Sequence, residues 1–172
     1  MKNVFILLGM CIFSSCGTTN NVKETNSIKA TVSKHIGLIP FDPLLDTLSF
    51  TVCNEDYINP YFHHLDLSIE GEKPAIVDAF ETHFNPVSRE ENGYVTIRFL
   101  VNCEGETGRF RMIELDQDYN PKDFSETLTR QLFDITSSLE GWDALTVDGA
   151  SYDYVRYLTF KIQEGNITAI LP

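Results

Sequence analysis

The chain has 172 residues, 42% hydrophobic and 22% charged, with 25 Asp and Glu against 13 Lys and Arg for a formal net charge of −12. A surface that negative repels nucleic acid and other polyanions, so DNA and RNA binding are excluded as function classes. The length suits one domain of ordinary size, or a small domain with an N-terminal extension.

The N-terminus opens with Met1-Lys2-Asn3, a greasy run from Val4 to Phe13, then Ser14-Ser15-Cys16-Gly17. That run is half the length of about twenty residues that a spanning helix needs. The layout predicts a cleavable signal of the bacterial lipoprotein type, residues 1–15, cut before Cys16, whose thiol then carries lipid such as palmitate. Phe13 stands where such signals usually carry Leu, so plain secretion is the alternative. Cleavage would leave 157 residues and remove one positive charge, Lys2, moving the net charge to −13. Residues 16–27 are polar and read as a tether holding the folded part clear of a bilayer. No acid occurs in Gly17 to Asn21. The expected location is the outer membrane, facing the periplasm.

Two cysteines survive such processing, Cys53 and Cys103. An even pair in an oxidising compartment predicts a disulfide, with two buried free thiols as the alternative. Neither cysteine has a second Cys or a His at metal-ligand spacing.

Residues 28–72 form an extension rich in turn residues, and Leu48 to Cys53 alternates like a short strand. From Lys73 the periodicity sharpens. Pro74 suits a first helical turn, and Ile76, Phe80 and Phe84 recur every fourth residue until Asn85-Pro86. Val95, Ile97, Phe99 and Val101 alternate with Thr96 and Arg98 as a half-buried strand, and Arg109 to Leu115 returns as its hairpin partner. Asn120 is the expected cap of a second helix, with Pro121 first inside it and Asp123 as a capping-box variant. Its buried face is Phe124, Leu128, Leu132, Ile135 and Leu139, and Gly141 ends it. After a loop through Trp142 and Gly149, Val155 to Ile162 alternates again, with Leu158, Phe160 and Ile162 on one side. The predicted fold class is α+β: a three-stranded antiparallel sheet with two helices on one face, residues 73–172, plus the extension with its short strand.

The pattern Gly93-Tyr94-Val95-Thr96-Ile97-Arg98-Phe99-Leu100-Val101, then Gly105, a helix ending before Trp142, Gly149 and a closing strand with Phe160, resembles the C-terminal domain of TonB. It covers roughly residues 74–163. With its lipoprotein signal, the chain also resembles secreted lipoproteins of the Bacteroidetes. The resemblance implies a protein-contacting module in which the last strand receives an extended segment of a partner. There is no uncleaved membrane helix and no long proline-rich spacer, so energy transduction is not expected. Lys73 stands where the family usually has a tyrosine, and Asp143-Ala144-Leu145 replaces a proline pair.

Candidate chemistry is sparse. His63, His64 and Asp66 are weighed as metal ligands and set aside, because adjacent residues in an extended segment point to opposite faces. Asp116, Asp118 and Asn120 fit a turn better than a calcium loop, which needs a glycine and a distal glutamate. No nucleophile sits beside a base, so no catalytic residue, cofactor or enzymatic activity is expected. Arg98, Arg109 and Arg111 are expected to pair across strands with Glu104, Glu106 or Glu114, with an anion site or partner contact as the alternative. Two binding surfaces follow. The first is the last strand as a sheet edge that accepts an envelope protein, presenting Val155, Tyr157, Thr159 and Lys161. The second is an aromatic patch of Trp142, Tyr152 and Tyr154, suited to carbohydrate or cell wall, or else capping a small core.

Overall fold

A computed structural model describes residues 37–60 and 69–171, all within one compact unit spanning 32–172. The elements are β1 (Ile58–Asn59), α1 (Glu72–His83), β2 (Gly93–Val101), β3 (Thr107–Leu115), α2 (Glu126–Ser137), β4 (Leu145–Val147), β5 (Ala150–Gln163) and β6 (Asn166–Leu171). They make a mixed six-stranded sheet of order β1-β5-β2-β3, with β4 and β6 also on β5. The expected three-stranded antiparallel sheet is therefore overturned. β1 runs parallel to β5, and the remaining pairs are antiparallel.

Strand alternation dictates how the sheet sorts its faces. Val95, Ile97, Phe99 and Val101 of β2 lie in one core with Tyr154, Leu158, Phe160 and Ile162 of β5. The register Val95↔Phe160 and Ile97↔Leu158 aligns them. Both helices cover this face. α1 buries Ile76 and Phe80, and the Phe80 ring lies 4.7 Å from that of Phe160. α2 buries Leu128, Leu132 and Ile135. Each such side chain contributes about 1.5–3 kcal/mol through removal from water, so this layer dominates stability.

The opposite face carries the extension. Ile39 and Ile58 pack on Leu100 and Val155, with Phe50 and Val52 alongside. A side chain at Gly108 would strike the Phe50 ring at 2.2 Å, so the bare backbone of β3 is what lets the extension seat there. Leu48 to Cys53, expected as a strand, is not one, and the short strand of the extension is β1 instead. Its path is set by side-chain anchors rather than by a ladder.

Both missed strands enter through two-residue hairpin turns. Asp148-Gly149 (φ 51° and 82°) joins β4 to β5, and Glu164-Gly165 (φ 49° and 73°) joins β5 to β6. Positive φ at both central residues matches the right-handed twist of the flanking strands. The second helix also starts later than expected. Asn120 does not cap it: its backbone N–H donates to the Asp116 carboxylate at 2.8 Å, in the turn expected of those acids. α2 begins after Ser125, and distant carboxylates take the nearby donors. Glu114 accepts the Phe124 N–H at 2.7 Å, and Glu91 accepts that of Ser125 at 2.8 Å.

Candidate functional site

β5 is not the edge that accepts a partner. It pairs with β2 along Tyr154 to Ile162, has β1 at Tyr154 and β6 from Thr159 onward on the opposite side, and pairs with β4 over Ala150 to Tyr152. Of the four residues expected to present that edge, Val155 is buried in the second core. Thr159 shares a 2.9 Å hydroxyl hydrogen bond with Thr96 of β2 and pairs with Leu171 of β6. Tyr157 and Lys161 lie on the same face, Tyr157 exposed and Lys161 half-buried. The four share a sheet face and not a free edge.

The aromatic patch does not form either. Trp142 is buried, its indole N–H donating to the Leu139 carbonyl at 3.2 Å. Tyr154 is 1% exposed, and its hydroxyl donates to the Asp143 carbonyl at 2.6 Å. Tyr152 is half-buried, 5.0 Å from the Tyr57 ring. Two of the three are core residues, so no flat sugar-stacking surface stands there.

Cys53 and Cys103 form a disulfide with Cα atoms 6.1 Å apart. Closing a loop of that sequence separation, 50 residues, stabilises by about 4 kcal/mol in the chain-entropy model. The joint is tied a second time by a residue that the sequence reading missed. The fully buried Asp153 carboxylate accepts backbone N–H groups from Cys53 (3.1 Å), Asn54 (2.8 Å) and Cys103 (3.0 Å). Asn102, also buried, donates to the Thr51 carbonyl at 3.0 Å and accepts the Glu104 and Glu106 N–H groups. Asp153 and the two cysteines are the one group with metal-ligand spacing among the described residues. The sulfurs are bonded to each other and the carboxylate is occupied by three N–H donors.

The arginines do not pair across strands as expected; they hold the extension. Arg98 donates to the Gly37 carbonyl. Arg109, almost fully buried, bonds the Glu55 carboxylate and the Ile39 carbonyl. Arg111 makes a two-pronged contact with Asp46 at 2.7 Å and reaches the Pro40 carbonyl at 2.9 Å. That hydrogen-bonded guanidinium holds the Asp46 carboxyl below its ordinary value of 3.8. A depressed carboxyl contributes stability in full above its unfolded value and loses it as pH falls through the folded one. Acidification from pH 5 to below 3 should therefore loosen residues 40–46, with lower amide protection at Leu45 and Asp46 relative to the intrinsic exchange rate at each pH. Asp46→Asn should show that looseness already at pH 5.

The free edge lies elsewhere. Among the described residues β6 pairs only with β5, so its outer side carries no strand. Beside it runs α1, and the two enclose an open groove of about 390 Å³. Val77, Phe80 and Phe84 line the helix side, Ile167 and Ile170 the strand side, and Lys73 and Glu81 add one charge of each sign. Ile162↔Ile167 and Phe160↔Ile170 place both β6 isoleucines on the helix-covered face. The strand edge of β6, unpaired by any strand among the described residues, therefore borders an apolar trough.

Cys16, His63, His64 and Asp66 lie outside the described residues. Among the described residues no helix is long and apolar enough to cross a membrane. No family model matches the chain, and no curated protein or solved structure matches it significantly.

Proposed function

We propose that this protein is a lipid-anchored binding module of the bacterial envelope, facing the periplasm, that takes up an extended segment of another envelope protein by strand addition along β6. The carrying observation is the outer edge of β6, without a strand among the described residues and flanked by the α1 groove. In strand addition, main-chain hydrogen bonds supply affinity, and pockets for every second side chain supply specificity. An incoming strand would lay its N–H and C=O groups against β6 and insert alternate apolar side chains between Val77 and Ile167. The lipoprotein-type signal pattern ahead of Cys16 and the resemblance of Gly93 to Val101 to the TonB C-terminal domain support the envelope setting. The segment of the partner is the ligand, and no energy is transduced.

Selection of a random-peptide phage library on the purified protein tests this. The expected yield is peptides with apolar residues at every second position. Val77→Glu places a charge in the half-buried trough and should weaken their binding at least tenfold with a near-normal melting temperature. An unenriched library, or peptides indifferent to Val77→Glu, would contradict strand addition at β6.

A further inference from the structure

We infer that the turn Asp42 to Leu48 is a membrane-contact loop that rests on a bilayer of neutral headgroups. Three leucines are held out of the protein: Leu44 is 86% exposed, Leu45 66% and Leu48 89%. Scattered exposed leucines need no explanation, but three within five residues on one constructed turn do. The turn is closed from several directions. Asp42 accepts the Leu45 and Asp46 N–H groups through its carbonyl and the Leu44 N–H through its carboxylate, at 2.8–3.1 Å. The Asp46 carboxylate returns to the Asp42 N–H at 2.7 Å. That carboxylate is 3% exposed and carries the Arg111 ion pair. A desolvated ion pair thus fixes a loop whose tip is apolar, so the leucines stand outside before anything meets them.

The occupant follows from shape, side-chain type, charge and chain order. The feature is a protruding tip, and its residues are leucines rather than the Trp, Tyr and Arg that dominate protein–protein hot spots. Leucine insertion at the acyl boundary scales with apolar area. The turn's own acids are occupied, Asp46 by Arg111 and Asp42 by a backbone N–H, and it offers no Lys or Arg for an anionic headgroup. With a net charge of −12, anionic lipid would repel the protein, so neutral headgroups are the matching surface. Chain order gives the position: residues 42–48 are the first turn of the described structure and lie 26 residues beyond Cys16 at their start. This inference rests on the anchoring at Cys16 and is independent of the β6 groove.

The test uses the full chain purified from membranes, with an environment-sensitive fluorophore built in at Thr47, and separately at Glu164 in the β5–β6 turn. Each is mixed with vesicles of phosphatidylethanolamine and brominated phosphatidylcholine, then floated. Co-flotation with quenching at position 47 at least threefold greater than at 164 is the expected result. It should weaken when phosphatidylglycerol is added, and Leu44→Ser with Leu45→Ser and Leu48→Ser should abolish it without losing flotation. Flotation with equal or absent quenching overturns the inference while leaving anchoring intact. Absence of flotation overturns both. A position-47 probe silent on vesicles but cross-linked to a protein in whole envelopes also overturns it, assigning the turn to a protein partner.

Discussion

Thr159→Pro should unfold the protein outright, because the substitution falls in the one strand that every other strand but β3 adjoins. β5 pairs with β2 at Thr96↔Thr159 and with β6 at Thr159↔Leu171. Proline removes a ladder donor and is tolerated on sheets essentially only at edges and bulges. An interior site costs about 3 kcal/mol or more by analogy with other interior positions. The neighbours Leu158 and Phe160 are almost fully buried in the main core, so a kink there also displaces packing under α1. Against a domain stability of about 5–15 kcal/mol, that combination leaves little folded protein at 37 °C. Circular dichroism and limited proteolysis should report loss of the thermal transition and rapid digestion. A variant with a wild-type melting temperature would mean that β5 is a free edge, and the sheet order given above would be wrong.

The second large effect belongs to Asp153. Three backbone donors, from Cys53, Asn54 and Cys103, converge on one buried carboxylate. A hydrogen bond to a charged group contributes about 1.5–3 kcal/mol, and orphaning a buried donor costs about 1–3 kcal/mol. Asp153→Ala should lower unfolding stability by about 3–5 kcal/mol even with the disulfide intact, as measured by urea denaturation without reductant. Asp153→Asn keeps one acceptor oxygen but turns an amide donor toward a backbone N–H, and should fall between the two. Intact mass should confirm the disulfide in each variant. A loss below about 1 kcal/mol for Asp153→Ala would show that Asp153 adds little to the disulfide at this joint.

Where the sequence carries a strong local period, it reads correctly. The alternation of Val95 to Val101 and of Leu158 to Ile162, the stripe Leu128, Leu132, Ile135, and the pairing of Cys53 with Cys103 all correspond to observed features. What local period cannot convey is which strand ends up inside the sheet. The edge expected at Val155 to Ile162 became interior because β6 folds back through Glu164-Gly165, and Glu is not one of the residues that mark such turns. Asp148-Gly149 is such a mark, but the expected loop through Trp142 and Gly149 passes over it and over the β4–β5 hairpin it closes. The start of α2 was misplaced because Asn120 spends its donor on Asp116 while the carboxylates of Glu91 and Glu114 arrive from far along the chain. Asp153 carries no local signal for the same reason, and the three arginines are matched with the wrong partners. Their partners lie about 50 residues or more away: Arg109 to Glu55, Arg111 to Asp46 and Asp153 to Cys103. The candidate groove needs both α1 and an unanticipated strand, so only its helix wall, with Phe80 and Phe84, is readable from the sequence.

The central claim is that an incoming strand hydrogen-bonds to the outer side of β6, and backbone amide exchange measures that contact itself. Hydrogen–deuterium exchange should be followed by mass spectrometry on the full chain, alone and saturated with a phage-selected peptide. Strand addition predicts that outward-facing amides within Ile167 to Leu171 slow by at least tenfold, together with a smaller slowing in α1 around Val77, while β3 is unchanged. Peptide binding that slows exchange on β3 or the 37–60 extension and leaves β6 untouched would contradict it.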